Sequence, residues 1–363
     1  MNTNKLSATG RHSTGGWLSN LLSATMLVVV FALPVTASAL PVYSNLFVFG
    51  DSLADSGNNA IVLDGLYGPG VRTPAPIPSP AFIPDYPYAS NRYSNGPVWT
   101  EQFASSLGLS AQPSLAGGTN FAFGGARMGP AGSSFPYTVS DQVALFKLAT
   151  GGVAPASALY VVEGGGNDAR DAFAILAGGG DPTMLINTYV ASTIGILTQL
   201  KLAGAQDILL ANIPDIGKAP AIQALGGAAV SAATLLVVAM NAAVEAAMLG
   251  QPLGFMSGVH ELDLFGLIDN IYNNPAAYGM TDATSACAYS PACITDPATT
   301  FFWDGIHPTT AGHALIASAA LAAIPEPATP VLIFIGLAGF CFIRLRKSVS
   351  RESVHAETCH VRR

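Results

Sequence analysis

Charge is scarce in this chain of 363 residues: only 10% are Asp, Glu, Lys or Arg, and no more than 15 residues are basic. Within residues 40–324 seven bases stand against nineteen acids, which leaves a net charge of −12. A surface of that sign repels phosphate backbones, so nucleic acid is excluded as a partner. Metal ligands are equally thin. The same stretch holds three histidines, His260, His307 and His313, and no C-x-x-C pair occurs, so a zinc site has no support. Only four cysteines are present. No internal repeat is found, which sets stacked-repeat architectures aside. What the chain has instead is apolar bulk: half its residues are hydrophobic and 38 are glycine. About 285 residues separate the two end segments, a length that suits one α/β domain with a large core.

The pattern that carries chemistry is Asp304-Gly305-Ile306-His307. An Asp three residues before a His can orient and charge-stabilise the imidazole from within one turn. Of the three histidines in the body of the chain, only His307 has an Asp so placed. A base of this kind needs a nucleophile, and the apolar run 46–49 stops abruptly at Gly50-Asp51-Ser52. Ser52, His307 and Asp304 then read as nucleophile, general base and orienting carboxylate. Acyl chemistry also needs donors aimed at the developing oxyanion. Gly164-Gly165-Gly166-Asn167-Asp168 offers the Asn167 amide, and Asn120-Phe121-Ala122-Phe123-Gly124-Gly125 ends in paired glycines whose bare N–H groups can approach a substrate oxygen. Each segment alone is also an ordinary turn. The spacing leaves Gly124 and Gly125 open, with Gly125 preferred by its offset from Asn120. Asp51 and Asp168 are read as turn and hydrogen-bonding residues, and His313 as packing or solvated.

These four segments, in this order, resemble the blocks of the GDSL family of esterases and lipases, the SGNH hydrolases. The resemblance spans residues 44–324 and includes the secondary segments Asn91-Arg92-Tyr93-Ser94-Asn95-Gly96-Pro97-Val98-Trp99 and Asn212-Ile213-Pro214-Asp215-Ile216-Gly217. It implies a secreted carboxylic-ester hydrolase that forms an acyl-enzyme on Ser52. His307 is then the base and Asp304 its orienting partner. The Ser52 N–H, Gly125 and Asn167 form the oxyanion hole, and no cofactor is needed. It also implies a flavodoxin-like three-layer α/β/α sandwich around a five-stranded parallel sheet in the order 2-1-3-4-5. Short acyl esters, lipids and acetylated polysaccharide all suit such a site as substrate. The alternative is a catalytically weak or inactive surface or matrix protein that keeps this fold to bind polysaccharide or a partner.

Hydrophobic periodicity gives strands at 46–49, 120–122, 159–162, 207–211 and about 255–262. Helices are expected at 98–107, 141–148, 184–202, 230–249, 264–273 and 310–324. Short apolar strands alternating with helices argue a parallel sheet covered on both faces. Residues 64–97 are crowded with proline and aromatics, which rules out a long helix or a central strand. The segment reads as an ordered covering loop near the nucleophile, or as part of an acyl-binding wall.

Both ends read as addresses. Lys5 and Arg11 precede an apolar run at 21–33, and Ala37-Ser38-Ala39 supplies a small-residue cleavage point, so residues 1–39 read as an export signal rather than a short anchor. Export would place Cys287 and Cys293 in an oxidising compartment, as a disulfide or as two buried thiols. After the body, 40–324, come Pro325-Glu326-Pro327, an apolar segment at 331–343 and the bases Arg344, Arg346 and Lys347. Residues 325–347 resemble the PEP-CTERM sorting signal of Gram-negative exopolysaccharide producers, and 348–363 form a polar tail. The expected partners are signal peptidase and an exosortase, with transient insertion of the C-terminal segment in the inner membrane. The product would be extracellular or exopolysaccharide-associated, or anchored if the segment is not cut.

Overall fold

A strand covered on both faces has no polar side to show, and three short segments meet that condition: β1 (Leu46–Phe49), β2 (Leu159–Val162) and, after its first residue, β3 (Asp207–Ala211). The fourth strand, β4 (Val259–Leu262), lies at the sheet edge with Glu261 exposed. In the computed structural model, which describes residues 43–130, 132 and 135–324, the four form one parallel sheet in the order β1-β2-β3-β4. Phe49 pairs with Val162 and Val162 with Leu210, so the carboxyl ends of the first three strands stand level.

Among the described residues eight longer helices accompany the sheet: α1 (Asn58–Tyr67), α2 (Trp99–Ser106), α3 (Val139–Ala149), α4 (Gly166–Ala177), α5 (Thr183–Ala203), α6 (Gly227–Leu249), α7 (Leu264–Asn273) and α8 (Thr310–Ala323). Strand side chains alternate between two cores. Phe47, Phe49, Tyr160, Val162, Ile208 and Leu210 pack with α3, α4, α5 and α6. Leu46, Val48, Leu159, Val161 and Leu209 pack with α2 and α8 from the other side. The result is three layers, α/β/α. Among the described residues α6 is the one helix long and apolar enough to cross a membrane. Here it lays Ala233, Val237 and Met240 into the first core, as a core helix of a folded domain does.

The sheet corrects one expectation. Four strands are found where five were expected, because residues 119–123 do not form a regular strand. They lie beside β1 with Val48 bridging Asn120, and bond through Val48 N–H to the Thr119 carbonyl, Phe121 N–H to Val48 and Phe123 N–H to Gly50. Side chains replace the ladder on the outer edge: Asn58 Nδ2 donates to the carbonyls of Asn120 and Ala122, and the Ala122 N–H turns back to Asn120 Oδ1. The segment still occupies the outer place of the 2-1-3-4-5 order.

The sequence reading also missed α1 and α4, along with a two-stranded parallel sheet of β5 (Asp282–Ala286) and β6 (Thr300–Phe302). Cys287 and Cys293, just after β5, are joined in a disulfide with their Cα atoms 5.1 Å apart. The expected export signal, sorting segment and polar tail lie outside the described residues.

Candidate active site

Ser52, Asn167 and the 119–125 segment all leave the carboxyl edge of the sheet, where an open α/β fold gathers its ligand sites. The chain turns sharply after β1. Gly50 permits that turn because a Cβ there would lie 2.7 Å from Glu163 Oε2 and 3.0 Å from Ala54 Cβ. Gln142 holds both polar groups of Gly50, accepting from its N–H and donating to its carbonyl, while Asp51 Oδ1 accepts from the Leu53 N–H. Ser52 is thereby presented on a fixed loop, 8% exposed.

His307 reaches Ser52 from the other end of the chain. Its Nε2 lies 2.8 Å from Ser52 Oγ, and its Nδ1 lies 2.8 Å from Asp304 Oδ2. Asp304 is fully buried, and its carboxylate is saturated by donors: Oδ1 accepts from the N–H groups of Ile306 and His307, each at 2.9 Å, and Oδ2 accepts from Tyr88 Oη at 2.9 Å. Tyr93 lies across the imidazole with ring centroids 5.3 Å apart. Burial, and then the Asp304 charge, push the Tyr88 phenol far above its ordinary pKa, so it stays a proton donor.

Tyr88 belongs to the proline-rich segment, which therefore does more than cover the fold. One consequence is measurable. Tyr88→Phe removes a single donor from a buried carboxylate and keeps the ring against Trp303, so ester turnover is expected to fall by roughly tenfold with the fold retained. Steady-state kinetics beside a thermal melt check this, and unchanged turnover would make the phenol a packing residue.

A glycine shapes the loop before α4. Gly165 adopts φ 96°, and a Cβ there would meet Tyr189 at 2.7 Å and Ile213 at 2.8 Å. Asn167 then enters in the first turn of α4. Its Nδ2 donates to the Ala126 carbonyl at 3.0 Å and to Asp51 Oδ2 at 3.3 Å, while its Oδ1 accepts from Arg170 at 3.3 Å. Gly124 and Gly125 separate clearly. The Gly124 N–H donates to Asp55 Oδ2 at 3.0 Å, whereas the N–H groups of Gly125 and Ser52 meet no acceptor among the described residues. Gly125 sits at φ 83°, a backbone that glycine adopts without strain.

Three buried carboxyls support this arrangement. Asp55 accepts from the N–H groups of Gly57, Asn58, Asn59 and Gly124, and burial still raises it to about 6. Glu163, beneath the nucleophile turn, accepts from the Asp51 N–H; burial and the Asp51 charge push it well above the ordinary carboxyl range. Asp168 accepts from the Met128 N–H and is raised by burial to about 6. Asp51 and Asp168 thus have the hydrogen-bonding partners expected of them. His313 is buried on α8 with neither ring nitrogen hydrogen-bonded, and burial lowers it to about 3, so it packs as a neutral ring. Sequence reasoning missed Asp55, Tyr88 and Glu163. Asp55 alone had a local signal, since an Asp two residues before a glycine can accept that glycine's N–H in an Asx turn, as it does here from Gly57.

Two cavities meet at Ser52 and His307. One is lined mainly by apolar side chains from α7, β6 and α8, and the other by polar and apolar groups together, among them Asp85 and Tyr93 of the proline-rich segment with Gly125, Arg127 and Pro136. No group of three or more His, Cys, Asp or Glu suited to a metal ion occurs among the described residues.

Comparison with known proteins places the chain in a family. Residues 46–320 match the family model of GDSL-like lipases and acylhydrolases, and residues 323–347 match the PEP-CTERM protein-sorting motif. Lipase 1 of Photorhabdus luminescens is 29% identical over 53% of this chain, which spans only 26% of that longer protein. A GDSL esterase/lipase of Arabidopsis thaliana is 26% identical over 76% of this chain and 87% of its own length. Among solved structures, an acetylxylan esterase from Geobacillus stearothermophilus aligns over 78% of this chain and 96% of its own, with 13% identity and a TM-score of 0.40, too distant to bear on substrate. With nearly the whole folded body matched, the chain belongs to the GDSL-like lipase/acylhydrolase family and is an ester-bond hydrolase of the SGNH type.

Proposed function

We propose that the protein is an exported serine esterase that works through an acyl-enzyme on Ser52. His307 takes the Ser52 proton as Oγ attacks the ester carbonyl, and the N–H groups of Ser52 and Gly125 with the Asn167 amide hold the oxyanion. His307 then protonates the leaving alcohol. Water, deprotonated by His307 in turn, releases the acid. Asp304 keeps Nδ1 protonated and stabilises the imidazolium. The observation that carries this reading is the unbroken hydrogen-bonded line Ser52 Oγ, His307 Nε2, His307 Nδ1, Asp304 Oδ2, with both steps at 2.8 Å. Ester turnover by Ser52→Ala beside the wild type tests it. The reading of an inactive binding protein is disfavoured because nucleophile, base and free N–H groups all converge at one place.

The same proposal divides the chain into an export signal at 1–39, the hydrolase body at 40–324, a sorting segment at 325–347 and a polar tail. Its support is the motif match at 323–347 and the order of prolines, apolar run and cationic cluster, which suits a segment that enters the inner membrane with its basic end in the cytoplasm. Exosortase cleavage would leave a mature enzyme lacking residues up to about Ala39 and beyond about Pro327. Mass spectrometry of the extracellular or surface pool from the native host is expected to return no peptides from the last thirty-odd residues. Recovery of intact peptides spanning 327–363 in that pool would make the segment a lasting anchor.

A further inference from the structure

Resting on the acyl-enzyme reading, we infer that this site takes esters that join a short to medium acyl chain, about butanoyl to octanoyl, to a polar hydroxyl-bearing alcohol. The two cavities differ in chemistry and size, and Ser52, Asn167, Arg170, Ile306 and His307 line both. The first is walled by Ala219, Leu264, Ile268, Phe301, Phe302 and Ile316, all buried. Its volume is about 70 Å³, roughly a quarter of its neighbour's, which suits a chain of several carbons and not a long one. An acetyl group leaves most of this apolar surface uncovered; a hexadecanoyl chain overruns it.

The second cavity is larger, about 260 Å³, and sets polar groups beside Ile83, Pro84, Phe135 and Pro136, where the first is almost wholly apolar. Asn59, Tyr93, Gly125 and Arg127 contribute to it, with the exposed Asp85 at its rim. Arg127 is already neutralised by a bidentate pair with Asp171, and Asp85 and Arg170 bring opposite charges, so the lining suits neutral hydroxyl groups better than a substrate of one charge. The exposed rim also decides which half of the ester lies where. The alcohol must leave and water must enter while the acyl group remains on Ser52. The half bound against the exposed rim is therefore the alcohol, and the half among the buried side chains is the acyl chain.

The test is a series of glycerol monoesters from acetyl to hexadecanoyl, with Ser52→Ala as the blank. Hydrophobic burial predicts a rise in kcat/KM of about fourfold per methylene, or roughly 10²-fold from acetyl to hexanoyl, and a fall beyond octanoyl. Hexyl hexanoate should be cleaved at least tenfold less efficiently than glycerol monohexanoate. Ala219→Leu, which fills the apolar cavity, should move the optimum toward acetyl, and Ile268→Ala, which enlarges it, should move it toward longer chains. A melting curve identifies a variant that fails to fold, and the wild-type profile stands without either one. Ser52-dependent turnover that is best on acetyl or on dodecanoyl and longer esters, or that favours the hexyl ester, overturns this inference and leaves the esterase reading intact. Absence of Ser52-dependent turnover across the whole series overturns both.

Discussion

Ser52→Ala is expected to lower kcat for ester hydrolysis by roughly 10⁶-fold, to the residue of rate that binding and oxyanion donors alone can supply. The size follows from the covalent route. Without Oγ no acyl-enzyme can form, so His307 and Asp304 lose the proton transfer they serve, and only binding and the oxyanion donors still assist direct attack by water. The fold should survive, because Ser52 Oγ bonds His307 Nε2 and the surrounding turn is held by Gln142, Glu163 and the backbone. Kinetics on a short-chain ester, with contaminating esterase excluded and a thermal melt run in parallel, decide the matter. Full activity in Ser52→Ala would mean that another nucleophile does the work.

Asn167→Ala is expected to cost roughly 10²- to 10³-fold in kcat with little change in KM, as the loss of one oxyanion donor does. The complication lies in the other bonds of the side chain. Asn167 Nδ2 already donates to the Ala126 carbonyl and, more weakly, to Asp51, so the substitution also releases two protein contacts. A donor that acts on the transition state moves kcat while the melting temperature of the folded protein changes modestly. A tie that only fastens the loop moves the melting temperature and leaves kcat near normal. The separation of those two quantities assigns the residue.

Much of the site was legible because its chemistry is local in sequence. Asp304 and His307 are three residues apart, and Ser52 stands just past an apolar strand whose burial on both faces leaves no polar alternation to confuse it. The sandwich was legible for the same reason, since β1, β2 and β3 are short apolar runs separated by helical periodicity. What escaped is non-local or masked by glycine. Tyr88 meets Asp304 across 216 positions of sequence, and no pattern within residues 64–97 announces that contact. The choice between Gly124 and Gly125 depends on Asp55, whose carboxylate crosses 69 positions to take the Gly124 N–H. The helix α4 begins within a run of glycines that reads as a bend. The 119–123 segment looks like a strand by composition, but Asn58 and Asn120 use side-chain bonds where a ladder would continue. Cys287 and Cys293 could have been free thiols by spacing alone; the structure joins them.

The central claim is the covalent intermediate. Protein quenched in acid during turnover of a hexanoyl ester, digested and read by tandem mass spectrometry, should carry the acyl mass on the peptide containing Ser52, with fragment ions placing it on that residue. The same adduct should be absent from Ser52→Ala. An adduct on a different residue, or sustained turnover with no acylated peptide even when water attack is slowed by low temperature, would contradict the account.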